Sequence, residues 1–307
     1  MRLHFYQQIA AELPRQSRFA LGLISDVKGS SPQKQGAKAL FFEDDRIVGT
    51  LGGGCLEAEV RLRARQALRT GEPATFDLTL DHDYGWDDGL ICGGRVSGLI
   101  LPRAAEASAI WQTLALRDES RTWGVREDFS IGWVDAEGGS WRYRETVRPP
   151  LALWIAGSGH IAQAVAPLAQ DLDFNVTVFD DRPDLANETF FPAGTTFRVG
   201  AWPELLATTL PTTPTLALIV TRGHKHDANV LAEWIHQPFL FLGMIGSSRK
   251  FRLIRDGFIK RGQATAAELE GVACPVGLEI GSVSVQEIAV SIMAQYIQQR
   301  VAHTSAP

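Results

Sequence analysis

One short motif restricts this chain more than any other feature. Gly157-Ser158-Gly159-His160-Ile161-Ala162 follows an apolar run at 151–156 and opens a helical stretch. It fits G-x-G-x-x-G/A in the strand-to-helix setting where that pattern has a physical meaning. The glycines allow a tight turn and a close backbone approach, and the helix start offers N–H donors to an anion. Further apolar runs at 175–179, 216–220 and 239–245 alternate with helical stretches. Such runs suit parallel strands buried on both faces. Ser284 and Glu287 form a capping-box signature for a last helix. The expected fold is therefore α/β, with residues 149–307 forming a C-terminal Rossmann-like, doubly wound parallel sheet.

The preceding residues have a different grammar. Runs at 19–27, 39–42 and 46–51 read as strands, the last two forming a hairpin about Asp44-Asp45. A helix at 55–68 stops at Gly71, strands are expected at 76–80 and 96–101, and a helix at 106–116. A hairpin turning at 137–139 closes this part. Arg148-Pro149-Pro150 can continue neither helix nor strand. It divides an N-terminal mixed α/β domain, residues 1–148, from the second domain, 149–307.

The 307 residues carry 45% hydrophobic side chains, enough for two cores, which excludes disorder as the main state. A net charge of −5 gives no global support for nucleic-acid binding. No apolar run reaches a membrane span, and the first residues lack a signal-peptide core. Three cysteines make no disulfide framework. The expectation is a cytoplasmic protein with no membrane and no nucleic-acid partner.

Chemistry concentrates after strand ends. Asp180 stands 23 positions beyond Gly157, where a ribose-binding acid is expected. The segment 221–227, with Arg222, His224 and His226, falls in the crevice region and suits an anionic or heteroaromatic ligand; a solvated loop is the alternative. Gly246-Ser247-Ser248-Arg249-Lys250 reads equally as a phosphate cradle or as an ordinary serine cap. In the first domain, Gly52-Gly53-Gly54-Cys55 precedes a helix, and backbone N–H groups there can form an anion nest. A helix start also favours an anionic sulfur at Cys55. Cys92-Gly93-Gly94 is a second thiol motif. Small buried hydrophobes are the commoner fate of such cysteines.

Together these motifs resemble the xanthine dehydrogenase accessory family of XdhC/CoxI type. The resemblance runs from Gly29-Ser30-Ser31-Pro32 and Gly36-Ala37-Lys38 through 49–57, Cys92-Gly93-Gly94, 156–162 and Asp180-Asp181-Arg182. It continues through Thr221-Arg222-Gly223-His224, 243–250 and 275–281 to residues 287–292. It implies a protein without turnover of its own. Such a protein binds molybdenum cofactor (molybdopterin), protects it while a cysteine desulfurase supplies sulfur, and inserts it into the molybdenum subunit of xanthine dehydrogenase or a related hydroxylase. It also implies a homodimer. The expected cofactor-binding residues are Gly52, Gly53, Gly54, Cys55, Cys92, Gly93, Gly157, Gly159, His160, Asp180, Arg222, His224, Ser247 and Arg249, with Cys55 and Cys92 toward molybdenum. Two other readings compete. One is an NAD(P)-dependent oxidoreductase using Gly157, Gly159 and Ala162, or a vestigial NAD(P) or nucleotide site. The other is a purely structural adaptor.

Overall fold

In the computed structural model, which describes residues 4–15, 18–79, 94–134, 139–208 and 210–304, the chain separates into Leu3–Pro149 and Pro150–Pro307. The first unit runs α1 (Phe5–Glu12), β1 (Phe19–Lys28), β2 (Lys38–Phe42), β3 (Ile47–Gly49), α2 (Gly54–Thr70), β4 (Ala74–Thr79) and β5 (Arg95–Leu101). It continues with α3 (Ser108–Leu116), β6 (Arg121–Arg126), β7 (Ile131–Trp133) and β8 (Trp141–Val147).

Strands β3-β2-β1-β5-β4 form one antiparallel sheet. Side chains alternate across it, so each face buries its own core. On one face α2 lays down Leu56, Val60, Ala64, Ala67 and Leu68, a stripe at helical spacing, against Ala20, Phe41 and Phe76. Gly71, in the left-handed region at φ 73°, ends α2 by donating its N–H to the Ala67 carbonyl. On the other face Phe19, Leu21 and Leu23 meet Tyr6, Trp111 and Trp123. Trp123 Nε1 donates to the Tyr6 hydroxyl at 2.7 Å, so neither polar tip is stranded.

The expected hairpin about 137–139 would pair β7 with β8, and these strands do not pair. The small sheet is ordered β7-β6-β8, with β7 and β8 on opposite edges of β6. Residues 135–138 themselves lie outside the described residues. The tight turn instead joins β6 to β7 over 127–130. There the Asp128 carboxylate accepts from Ser130 N at 2.9 Å, and Phe129 takes φ 65°. The two glycines at 138–139 are the stronger local turn signal. Burial of Trp123, Val125 and Tyr143 decides the order by making β6 the central strand, paired with β8.

The second unit runs β9 (Ala152–Ala156), α4 (His160–Asp171), β10 (Asn175–Asp180), β11 (Thr196–Val199), α5 (Trp202–Thr208), β12 (Thr215–Ile219) and α6 (His224–Trp234). It ends with β13 (Phe241–Met244), α7 (Ser248–Arg261), α8 (Ala266–Glu270), β14 (Val272–Ala273) and α9 (Val285–Thr304). Its strands are parallel and ordered β11-β10-β9-β12-β13-β14. With β9 as the first strand this is 3-2-1-4-5-6, the doubly wound order of dinucleotide-binding sheets. Leu153 and Ile155 face α4 and α9, while Trp154 and Ala156 face the α5–α8 side. Strands β11 and β14 lie outside the expected apolar runs. Among the described residues no helix is long and apolar enough to cross a membrane.

Candidate functional site

Strand order reverses at β9, with β10 on one side and β12 on the other, and ligands of such sheets bind beyond the carboxyl ends there. Gly157 makes the first turn. Its φ of 116° and the Val220 carbonyl, which a Cβ would overlap, both exclude a side chain. Ala162 is fully buried, as the third small position requires for close helix–strand packing. Gly159 differs: it caps α4 at φ −75°, ψ −179°, a conformation open to any residue. Among the described residues no heavy atom lies within 4 Å of where its Cβ would sit. His160 follows as the exposed first residue of the helix.

Asp180 is buried and turned toward its own chain. Oδ2 accepts from Ser158 N at 2.7 Å, Ser158 Oγ at 2.8 Å and Arg182 Nη2 at 2.9 Å. Oδ1 accepts from Arg182 N at 3.0 Å and Arg182 Nε at 2.9 Å. A carboxylate has about four lone-pair sites, so these five donors saturate it. Burial alone would raise its pKa, but the hydrogen bonds from Arg182 and Ser158 outweigh burial and hold it at about 2.

A second cluster lies beyond β12 and β13. Thr221 N and Oγ1 donate to Asp227 Oδ1 at 3.1 and 2.6 Å, and Lys250 Nζ donates to Oδ2 at 2.6 Å. Cys274 borders this pair; burial pushes its thiol up to about 11, with Lys250 opposing the rise. Arg222 Nη2 pairs with Asp181 Oδ2 at 2.8 Å, and the His226 ring lies 6.3 Å from the Trp202 ring. Gly223 caps α6 at φ 179°, ψ 160°, again with open space where a Cβ would be. His224 is the exposed first residue of that helix. Ser247 caps α7 by accepting from Lys250 N at 3.2 Å, and Arg249 is exposed. Ser247 therefore performs the capping task named as the alternative to a phosphate cradle.

In the first unit the glycine run forms a second loop site. Gly52, Gly53 and Gly54 take φ of 109°, 74° and 59°, all in the left-handed region. Glu57, in the first turn of α2, reaches back to accept from Thr50 Oγ1 at 2.9 Å and Leu51 N at 3.0 Å. Thr50 Oγ1 in turn accepts from Gly52 N at 3.0 Å. Gly52 lies against Pro32 and Gln33, and Gly94 against the Ser30 carbonyl. The 29–33 loop thus touches both the Gly52–Cys55 loop and the start of β5. Cys55 is exposed. Cys92 and Gly93 lie outside the described residues.

Helices α2, α4 and α6 all begin at glycine caps without a capping side chain. Helices α7, α8 and α9 begin at Ser247, Thr265 and Ser284, each hydrogen-bonded to its own first turn. The structure brings Gly157, Gly159, Asp180, Arg222 and His224 to the strand ends of one sheet, and gathers Gly52, Gly53, Gly54 and Cys55 in another loop cluster. Ser158, Arg182, Asp227 and Lys250 complete the crevice polar network. Each stands inside one of the motifs named from the sequence, but none was among the expected binding residues, because a motif does not show which side chains bond to one another. Among the described residues no group of three or more His, Cys, Asp or Glu side chains could hold a metal ion.

Comparison with known proteins gives a consistent picture. Residues 153–296 match the XdhC Rossmann domain, and residues 13–80 match the XdhC and CoxI family. A probable xanthine dehydrogenase subunit of Bacillus subtilis (strain 168) is 26% identical over 336 residues, spanning 97% of this chain and 98% of that protein. The molybdenum cofactor insertion chaperone PaoD of Escherichia coli (strain K12) is 22% identical over 291 residues, covering 91% and 82%. The uncharacterized protein YqeB of the same organism is 28% identical over 290 residues, but the match spans only 45% of it. A crystal structure described as a xanthine dehydrogenase from Bacillus halodurans shares the fold, with a TM-score of 0.83 at 23% identity, over 99% of this chain and 98% of that one. With both of its domains matched in order, the chain belongs to the XdhC and CoxI family.

Proposed function

We propose that the chain binds molybdenum cofactor as cargo, shields it during sulfuration by a cysteine desulfurase, and delivers it to a xanthine dehydrogenase or related hydroxylase. The observation that carries this reading is the set of uncapped glycine helix starts. Gly159 and Gly223 have ordinary backbone angles and no neighbour at the Cβ position. Neither strain nor packing within the chain asks for glycine there. What remains is close approach of something outside the chain to free N–H groups at a positive helix end.

The residues suit the cargo's chemistry. Its phosphate matches the α4 and α6 starts, and its heteroaromatic ring matches Arg222 and His226 at the crevice edge. Within the first unit, taken by itself, the exposed Cys55 offers a soft donor suited to a soft metal. Gly52, Gly53 and Gly54 offer backbone donors beside that thiol, Cys92 and Gly93 stay in the proposed set by sequence alone, and in the second unit His160, His224 and Arg249 border the crevice. Asp180 contributes by position rather than contact, because its carboxylate fixes Ser158 and Arg182 beneath the α4 start. Saturation of that carboxylate weighs against an NAD(P) oxidoreductase, whose ribose hydroxyls need a free acceptor. A homodimer in the cytoplasm remains part of the proposal.

The test titrates purified protein with molybdenum cofactor and, separately, with NADH. Activation of cofactor-free xanthine dehydrogenase is then followed with and without the protein. Cofactor binding with faster activation supports delivery. NADH binding with turnover on a carbonyl substrate, and no activation, would replace it with the oxidoreductase.

A further inference from the structure

From the outward face of α7 we infer a docking surface for an acidic patch on a partner protein. Helix α7 carries six cations (Arg249, Lys250, Arg252, Arg255, Lys260 and Arg261) against one anion, Asp256, on a chain whose net charge is −5. Several surface arginines elsewhere are paired with carboxylates, Arg61 and Arg65 with Asp45, Arg63 with Glu59, Arg95 with Asp77, Arg142 with Glu127, and among the described residues no other helix gathers so many cations. On α7 only Lys250 has an ion pair among the described residues, and it points inward to Asp227. Phe251, Ile254 and Phe258 anchor the helix to the core at spacings i, i+3 and i+7. The opposite face therefore turns Arg252, Leu253, Asp256, Ile259 and Lys260 to solvent, with Leu253 69% and Ile259 44% exposed.

Two large apolar side chains among unneutralised cations match the anatomy of a protein interface, with an apolar anchor and a charged surround. Asp256 decides between partner classes. A carboxylate in the middle of the face would be repelled by anionic lipid or a phosphate backbone, whereas a protein can place a cation opposite it and gain register. The partner is a protein surface with Asp and Glu around an apolar pocket. Its identity as the recipient hydroxylase rests on the delivery reading above.

The test measures the complex between this chain and cofactor-free xanthine dehydrogenase by sedimentation at about 50 and about 200 mM salt, where screening differs. The variants are the double charge reversal Arg252→Glu/Lys260→Glu, and Leu253→Ala. All three sites are exposed, and thermal unfolding checks that each variant folds. The reversal should weaken the complex by about tenfold or more and flatten its salt dependence, while Leu253→Ala weakens it a few-fold with the salt dependence kept. Folded variants that bind the enzyme as wild type does would overturn the inference, as would losses seen only toward phosphatidylglycerol vesicles. Molybdenum cofactor binding is measured on the same samples. Wild type that binds cofactor but forms no complex refutes the docking surface alone, and wild type that binds no cofactor refutes the delivery reading alone.

Discussion

If the caps at Gly159 and Gly223 are kept open for a ligand, closing them should make the protein more stable and less able to bind. Serine is the substitution that separates the two effects. At Gly159 (φ −75°, ψ −179°) and Gly223 (φ 179°, ψ 160°) the backbone accepts a side chain, and the Cβ meets nothing within 4 Å among the described residues. Serine would cap the helix start through its hydroxyl, a few tenths of a kcal/mol better than glycine. It also narrows the unfolded ensemble, which adds about 0.4–1 kcal/mol. Each variant should therefore unfold about 1–4 °C above wild type, since about 1 kcal/mol moves a domain of this size by about 2–4 °C. The same hydroxyl takes an N–H that an anion would use, and a charge-assisted hydrogen bond is worth about 1.5–3 kcal/mol. Cofactor affinity should fall by about tenfold or more. Gly157→Ser is the control. With φ at 116° and the Val220 carbonyl in the way, it should lose about 2–4 kcal/mol of stability. The assay pairs thermal unfolding with equilibrium cofactor binding on each variant. A Gly159→Ser/Gly223→Ser protein that is stabilised yet binds like wild type would show that these glycines serve no ligand, and one that is destabilised would show that the open space was misjudged.

The remaining predictions concern the buried polar groups. Asp180 has a lowered folded pKa of about 2, so its contribution is present above its unfolded value near 4 and is lost as pH falls from there through about 2. Asp180→Asn should remove that part of the acid-unfolding slope; an unchanged slope would mean the clamp contributes nothing. In a Cys92→Ala background, a thiol reagent at neutral pH should modify the exposed Cys55 first. Cys274, pushed up to about 11 by burial, should react appreciably only as the pH approaches that value. Equal rates at neutral pH would contradict the burial argument. Lys250→Met leaves Asp227 buried without its cation and should cost about 3 kcal/mol, much of it recovered in Lys250→Met/Asp227→Asn. Equal stability of the single and double variants by denaturant unfolding would remove the ion pair from the account.

The second unit was largely legible because its strands are continuous apolar runs and its phosphate-type turn has fixed spacing. What those patterns could not convey is where a side chain points. Asp180 stands where a ribose acid belongs, yet its carboxylate is spent on Ser158 and Arg182, and spacing alone does not reveal which acceptor is already filled. Lys250 reads as a surface basic residue in Ser248-Arg249-Lys250, but Asp227, contributed by another helix, draws it inward. In the first unit, Gly138 and Gly139 outweighed Asp128 as a turn signal, while the pairing order was set by burial of Trp123 and Tyr143 far along the chain. Strand β14 has two residues, too few to show a period. Three left-handed glycines before Cys55 were readable as a loop, though the contact of Gly52 with Pro32 and Gln33 was not.

Helix α9 has a consequence for how the protein is made. Its Ala289, Ile292, Met293 and Tyr296 cover one face of the parallel sheet together with α4. The Tyr296 hydroxyl donates to the Ala217 carbonyl at 2.7 Å, and Gln295 Oε1 accepts from Gly277 N at 2.7 Å. A ribosome that has translated every strand of this sheet has therefore supplied α4 but not yet α9 as cover for Leu153, Ile155, Leu216 and Leu218. The nascent second unit must wait with part of that apolar face exposed, open to chaperones and to aggregation. The first unit, formed by a contiguous segment, has all its parts available before β9 is synthesised. Growth conditions that slow translation near the α9 codons would thus prolong the interval of greatest risk for the second unit and leave the first untouched.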